Sequence, residues 1–389
     1  MSTNPPPPPP PAAGASRSRS PAPVYRRTPL RSACVQYDVK LGKVKENAAK
    51  VEEMTRWLTP GSLDLLVLPE MCLSGYIFPT PASISILPYL EPPRIGPTSL
   101  LARSLSTRLK CHVIAGYPER LEDADAQESG GGVVSGDAEA EAGAGAESEM
   151  SQAAAAAAGV AGVGYNSALI SSPSGEIVGN YRKTFLFDTD KNWARAGAGF
   201  KYFDLGGALG RVVVGIYMNP KDFVGTLSSL RRASGVKNSI KLTEVGGIAP
   251  WDAFELANFV RDNAVDTLVV PMNWLDPPAE PPTEEDTPQN PLQPSISNLN
   301  YWAARLTPLH DPAPGYSPPP HSAKEGGEGK GKEGKGGEVV FVTCNRVGEE
   351  AGTKFIGTSS VLSISSDPSR IELVECCNIS EERVLLAEV

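Results

Sequence analysis

The chain has no C-x-x-C pair, no histidines at metal-ligand spacing and no long apolar run, and each absence removes a class of function. Its six cysteines (Cys34, Cys72, Cys111, Cys344, Cys376 and Cys377) are scattered, mostly inside apolar stretches. That distribution fits buried free thiols in a reducing compartment better than a disulfide framework. His112, His310 and His321 stand apart, the last two beside Pro-rich stretches, and read as ordinary side chains; no metal and no other cofactor is expected. No apolar segment approaches the roughly 18–20 residues that cross a bilayer, so no membrane partner is expected. Basic residues are the minority, 36 against 45 acidic, for a formal charge of −9. A nucleic-acid partner would want a basic face, and none is expected.

What the chain has in quantity is Gly (38) and Pro (37), alongside 40% hydrophobic residues. A core is therefore affordable, but part of the chain must lie outside it. Residues 1–28, a Pro run followed by Ser, Arg and Pro, cannot bury a core and read as a disordered tail. The tail has no apolar stretch suited to a secretory signal, and its proline opposes a transit helix, so the cytoplasm is the expected location. Three more stretches read as inserts: the Gly/Ala/Glu-rich 121–163, the Pro/Glu/Thr-rich 276–297, and 312–337 with its Gly/Lys/Glu tract. A fourth, 224–248, is neither low-complexity nor clearly periodic. Without these, roughly 240 residues remain, the size of one α/β domain.

That remainder alternates strand and helix signals. Ser32–Val39 predicts a strand. Gly42–Leu58 sets Val44, Ala48, Val51, Met54 and Leu58 at helical spacing. Asp64–Pro69 is short and continuously apolar, hence a strand buried on both faces. A helix over Ser99–Leu109 and a strand over His112–Tyr117 follow, then two strands over Asn166–Arg182 joined by Ser-Pro-Ser-Gly. Val212–Ile216, a helix over 251–263, and strands at Thr267–Met272, Val339–Cys344, Phe355–Ile364 and Ile371–Cys376 complete the pattern. Helices covering one face of each sheet leave the other faces to stack, which predicts an α/β fold, an α-β-β-α sandwich.

Two strand ends carry chemistry. The apolar strand 64–69 ends in Pro69-Glu70-Met71, and a carboxylate just beyond a buried strand loses solvent, which raises its pKa towards that of a general base. Tyr181-Arg182-Lys183-Thr184 closes the hairpin, where Lys183 can offer a fixed positive charge to an oxyanion. Judged singly, each reads as an ordinary surface residue. Together, Pro-Glu-Met-x-Leu-Ser-Gly-Tyr (69–76) followed by a hairpin leading to Tyr-Arg-Lys-Thr resembles the nitrilase superfamily of carbon–nitrogen hydrolases, whose catalytic set is Glu, Lys and Cys. Gly116-Tyr117-Pro118-Glu119 and Asn273-Trp274 extend the resemblance. Tyr301-Trp302-Ala303-Ala304-Arg305-Leu306, Cys344-Asn345-Arg346-Val347-Gly348 and Lys183-Thr184-Phe185-Leu186 narrow it to the fungal-type N-terminal asparagine amidases.

The resemblance implies a four-layer nitrilase-type sandwich spanning 29–389 with the inserts above. It implies hydrolysis of a side-chain amide: glutamate takes the thiol proton, the thiolate attacks the amide carbon, lysine and backbone N–H groups hold the oxyanion, and ammonia leaves. Glu70 and Lys183 match the base and the lysine, and Tyr76, Asn273 and Trp274 match substrate-binding positions. The implied substrate is a protein or peptide N-terminus whose Asn becomes Asp in the N-degron pathway, with Gln open as a second substrate and a homodimer open as the assembly. Two other readings stay open: a catalytically inactive homologue that binds N-terminal residues, and a hydrolase of small amides.

Three departures stand against this pattern. Tyr217, not cysteine, follows the strand Val212–Gly215 at the nucleophile position, in a segment about two residues shorter than the family's. A phenol (pKa ~10, against ~8.5 for a thiol) is the poorer acyl-transfer nucleophile, and its ring would fill the site. Cys72 lies on the glutamate's own segment rather than at a sharp turn and reads as packing. Directly downstream, 224–248 separates Asn219-Pro220-Lys221-Asp222-Phe223 from Ala249-Pro250-Trp251-Asp252; the nearness of both defects points to misassigned exon boundaries around 217–248. Finally, Lys191 stands where a second acidic residue is expected. Asp188, Asp190 and Glu119 compete for that role, and the sequence assigns it to none of them.

Overall fold

The computed structural model describes residues 28–79, 81–121, 162–216, 253–275, 290–312 and 337–389. The segment 224–248 and Tyr217 lie outside these residues. So do the tail up to residue 27 and most of 121–163, 276–297 and 312–337, although 290–297 are described.

In chain order the strands are β1 (Arg31–Gln36), β2 (Leu65–Val67), β3 (His112–Arg120), β4 (Gly164–Ser171), β5 (Ile177–Arg182), β6 (Ala194–Arg195), β7 (Tyr202–Gly206) and β8 (Gly210–Val214). They continue with β9 (Thr267–Pro271), β10 (Val339–Cys344), β11 (Val347–Glu350), β12 (Thr353–Ile356), β13 (Ser360–Ser366), β14 (Ser369–Cys376) and β15 (Arg383–Glu388). The helices are α1 (Val44–Thr55), α2 (Ala82–Ser85), α3 (Pro97–Leu109), α4 (Asp188–Lys191), α5 (Glu255–Asp262), α6 (Ile296–Arg305) and α7 (Thr307–His310), with a short 3-10 turn at Leu87–Tyr89.

Two sheets share one plan. The first runs β15-β1-β2-β3-β4-β5 with β6 beside β4, and the second runs β14-β13-β10-β9-β8-β7. Parallel trios, β1-β2-β3 and β8-β9-β10, lie at the heart of each, flanked by antiparallel strands. Period-2 alternation explains the layering. In β2, Leu66 joins the core under α1 and α3, while Leu65 and Val67 turn to the core between the sheets. In β10, Val340, Val342 and Cys344 meet that same inter-sheet core, while Val339 and Phe341 pack towards the helices of the second sheet. Two sheets, each covered outside by helices and pressed together inside, make the expected α-β-β-α sandwich. No helix among the described residues is long and apolar enough to cross a membrane.

Local chemistry sets the element ends. Pro97 opens α3, where its missing N–H costs nothing, and Lys110 ends it in the left-handed region (φ 57°). The Ser295 side chain accepts from the Asn298 N–H and starts α6.

Several elements differ from expectation. The predicted strand 355–364 is two strands separated at Gly357 (φ 49°): β12 pairs with β11 in a small two-stranded sheet, and β13 belongs to the second large sheet. β7, β11, β15 and the helix α6, which begins inside the stretch read as an insert, are not among the expected elements. β15 is a sheet edge, half exposed and held by β1.

Candidate active site

The site forms where strand ends of the first sheet meet the groups that follow them. Beyond β2, Glu70 is fully buried, and Gly116 of β3 is what lets it sit there. A Cβ on Gly116 would lie 2.5 Å from the Glu70 Cα. The Gly116 N–H donates to the Pro69 carbonyl (3.2 Å), and the Gly116 carbonyl accepts from the Cys72 N–H (3.0 Å), so both flanks of Glu70 are fixed to β3. Lys183, just past β5, is held the same way. Its N–H donates to the Asn166 carbonyl and its carbonyl accepts from the Gly197 N–H, each at 2.8 Å.

These backbones deliver two side chains to one point. Lys183 Nζ lies 2.8 Å from Glu70 Oε1 and 2.7 Å from Asp190 Oδ2. Asn166 Nδ2 donates to the same two carboxylates, at 2.6 Å to Glu70 Oε1 and 2.9 Å to Asp190 Oδ1. The Phe187 N–H donates to Asp190 Oδ2 at 3.0 Å. Glu70, Asn166, Lys183 and Asp190 are all inaccessible to solvent.

Burial raises the Glu70 pKa, helped by the negative Asp190 and opposed by Lys183 and Asn166. Burial alone would strip the Lys183 proton, but Asp190 and Glu70 outweigh it and hold the ammonium above its ordinary range. The centre therefore has two carboxylates and one fixed cation, and one of those carboxylates, Glu70, has raised proton affinity. Glu70 Oε2 has no hydrogen-bond partner among the described residues.

Tyr76 borders the centre. Its ring centroid is 5.7 Å from Lys183 Nζ, and its fully buried phenol, beside Asp190 and Glu70, is held protonated. Asn273 and Trp274 part company. Trp274 packs with Met272 in the helix-side core, edge-on to Tyr301 at 4.6 Å, and alternation sends Asn273 to the inter-sheet side occupied by Val269. Asn273 is fully buried, and neither of its side-chain polar atoms has a partner among the described residues.

Of the three acids left open by the sequence, Asp190 is the one that enters the centre. Asp188 is exposed and pairs with Lys191 at 3.4 Å. Glu119 turns to the helix side of its sheet, where it accepts from Arg182, Ser167 and Asn180. Arg182 and Lys183, adjacent in sequence, thus anchor opposite faces. Cys72 packs in the core beneath α1 and α3, and burial pushes its thiol far up, which leaves it inert.

Asn166 went unread in the sequence, although a signal existed. On β4 it shares the inward face with the apolar Ala168 and Ile170, a polar side chain in an apolar row.

Residues 31–217 match the family model described as carbon-nitrogen hydrolase. This part of the chain is a carbon–nitrogen hydrolase domain. The chain is 28% identical over 353 residues to a protein N-terminal amidase of Schizosaccharomyces pombe, covering 86% of this chain and 92% of that one. A protein N-terminal amidase of Saccharomyces cerevisiae is 29% identical over 262 residues, 64% of this chain and 45% of the relative. Among solved structures, an N-terminal amidase with an Asn-Glu peptide superposes with a TM-score of 0.62 at 21% identity, covering 93% of this chain and 97% of that one. That last likeness is one of fold, and it places the two-sheet sandwich of this chain among those of nitrilase type.

Proposed function

We propose that this carbon–nitrogen hydrolase acts on the side-chain amide of an N-terminal asparagine, with glutamine as a second substrate, and releases ammonia to leave an N-terminal Asp or Glu. The observation that carries the reading is the buried Lys183 bridging Glu70 and Asp190 while Glu70 Oε2 stays unpartnered. Two relatives bearing the name protein N-terminal amidase support it, one of them along nearly its whole length. So do solved N-terminal amidase structures that hold Asn- and Gln-initiated peptides.

A thiol presented after β8 would give its proton to Glu70 Oε2 and attack the amide carbon. Lys183, unable to lose its proton between two carboxylates, would hold the oxyanion. Glu70 would return the proton to the departing nitrogen and then activate water against the thioester. Tyr76 and Asn273 are the side chains set to touch substrate, with Trp274 backing them. Such a product is a degradation signal in the N-degron pathway, a cytoplasmic role.

The residue at the nucleophile position, Tyr217, lies outside the described residues, and it favours a second reading: a homologue that binds N-terminal residues without turning them over. Two measurements separate the readings. Sequencing the transcript across residues 210–255 is expected to recover a cysteine codon and no 224–248 insert. Protein made from that verified sequence is then expected to release ammonia from an Asn-initiated peptide but not from free asparagine. Peptide binding without ammonia would establish the second reading, and turnover of small amides alone would end both.

A further inference from the structure

Among Glu70, Asn166, Lys183 and Asp190, only two oxygens lack a partner among the described residues. Lys183 spends its charge on Glu70 Oε1 and Asp190 Oδ2. Asn166 spends both amide hydrogens, one on each carboxylate. What is left is Glu70 Oε2 and Asn166 Oδ1, each fully buried and each without a donor among the described residues. The orientation of the Asn166 amide is not in doubt chemically, because turning its oxygen towards two carboxylates would set acceptor against acceptor. A buried acceptor left without a donor costs free energy, and in a working site it marks where a ligand's donor belongs.

The two free oxygens sit on neighbouring groups, joined by the 2.6 Å bond between Asn166 Nδ2 and Glu70 Oε1. Unpartnered acceptors on two neighbouring groups fit a ligand that brings N–H donors, and a primary carboxamide brings two on its nitrogen. We propose that Asn166 is a specificity-determining residue whose Oδ1 accepts an N–H from the scissile carboxamide nitrogen of the substrate. This rests on the amidase reading above and refines it. The nitrogen that must leave is gripped by Asn166, with the Glu70 oxygen that carries the proton beside it. An N–H held by Asn166 turns the nitrogen lone pair away from that bond and towards Glu70 Oε2. When the carbon–nitrogen bond breaks, the proton on Oε2 passes to that lone pair and ammonia departs. An ester, which has an oxygen in place of the nitrogen, offers Asn166 no donor and leaves its oxygen stranded.

The test uses two peptides of nearly identical shape, one beginning with Nδ-methyl-asparagine and the other with aspartate β-methyl ester, beside the parent Asn-initiated peptide. Binding is measured by calorimetry on the full chain and on Asn166→Ala. The intact protein is expected to bind the methylamide about tenfold more tightly than the ester, the discrimination a single buried hydrogen bond supplies. In Asn166→Ala that preference should shrink to within about twofold, whereas a merely structural role would weaken both peptides equally. Equal binding of the pair by the intact protein overturns the proposal even if the variant fails to fold, and so does an unchanged preference in a folded variant. If the intact protein binds the parent peptide but shows no amide preference, only the role of Asn166 falls. If it does not bind the parent peptide at all, Asn166 has no carboxamide to read and this proposal falls, while ammonia release by protein made from the verified transcript decides the amidase reading separately.

Discussion

Glu70 and Lys183, 113 positions apart in the chain, meet at 2.8 Å where no solvent reaches either. Asp190 joins the pair, so that one cation is shared between two carboxylates. Replacing Lys183 by Met leaves both carboxylates buried without a cation, a loss of about 3–5 kcal/mol when both are ionised. Glu70 holds its proton more tightly than an ordinary carboxylate, so lowering the pH protonates it and relieves the repulsion. Urea unfolding of Lys183→Met against the parent chain should therefore show a larger deficit at pH 8 than at pH 5. An equal deficit at both would mean that Lys183 acts by packing rather than charge.

Gly116 is predicted to be irreplaceable for a backbone reason. The Cβ of Gly116→Ala would stand 2.5 Å from the Glu70 Cα, 2.8 Å from the Pro69 carbonyl oxygen and 2.9 Å from the Met71 nitrogen, and none of these is a flexible side-chain end. Overpacking of this kind costs about 1–3 kcal/mol. At Gly337 a Cβ meets nothing within 4 Å among the described residues, so Gly337→Ala serves as the control and should leave the urea midpoint unchanged.

Which parts of this were legible beforehand follows from periodicity. β2 was readable because an apolar run of its length, flanked by Asp64 and Pro69, has few alternatives, and Glu70 followed from its end. Lys183 was readable from the hairpin turn. Asp190 was not, because α4 has four residues, too few for a helical pattern, and Asp188 two positions earlier looks identical in sequence. Only the fold shows that one faces Lys183 and the other faces water. Trp274 looked like a partner of Asn273 because they are adjacent, yet adjacency on an extended segment means opposite faces. β15 was missed because its partner β1 lies at the other end of the chain, and its half-exposed edge shows little alternation.

The turn carrying Tyr76 depends on a second buried ion pair. Glu350 Oε2 accepts from the N–H groups of Tyr76 (2.9 Å) and Ile77 (2.8 Å), and its other oxygen accepts from Arg346, whose guanidinium lies 4.1 Å over the Phe355 ring. Arg346 also donates to the Val39 carbonyl. In a double-mutant cycle of Arg346→Met and Glu350→Gln, the pair should show a coupling of about 1–3 kcal/mol. Glu350→Ala alone should speed amide exchange at Tyr76 and Ile77 more than at β3. If those two amides keep their protection, Glu350 does not hold the turn.

Glu91 supplies a pH dependence separate from the active centre. Its carboxylate accepts from the Thr98 N–H and hydroxyl, each at 2.7 Å, in the first turn of α3, yet burial prevails and pushes its pKa from 4.5 up to about 7. A folded-state value above the unfolded one favours the protonated folded form. The stability Glu91 contributes is thus fully present below about pH 4.5 and is lost as pH rises through about 7, a total of about 3 kcal/mol. Glu91→Gln has no proton to lose there, although it gives up an acceptor for Thr98 at every pH. Between pH 5 and pH 8 the parent chain should therefore lose more stability than Glu91→Gln in chemical denaturation. Parallel curves for the two proteins would show that the Thr98 hydrogen bonds outweigh burial and that Glu91 is ionised throughout.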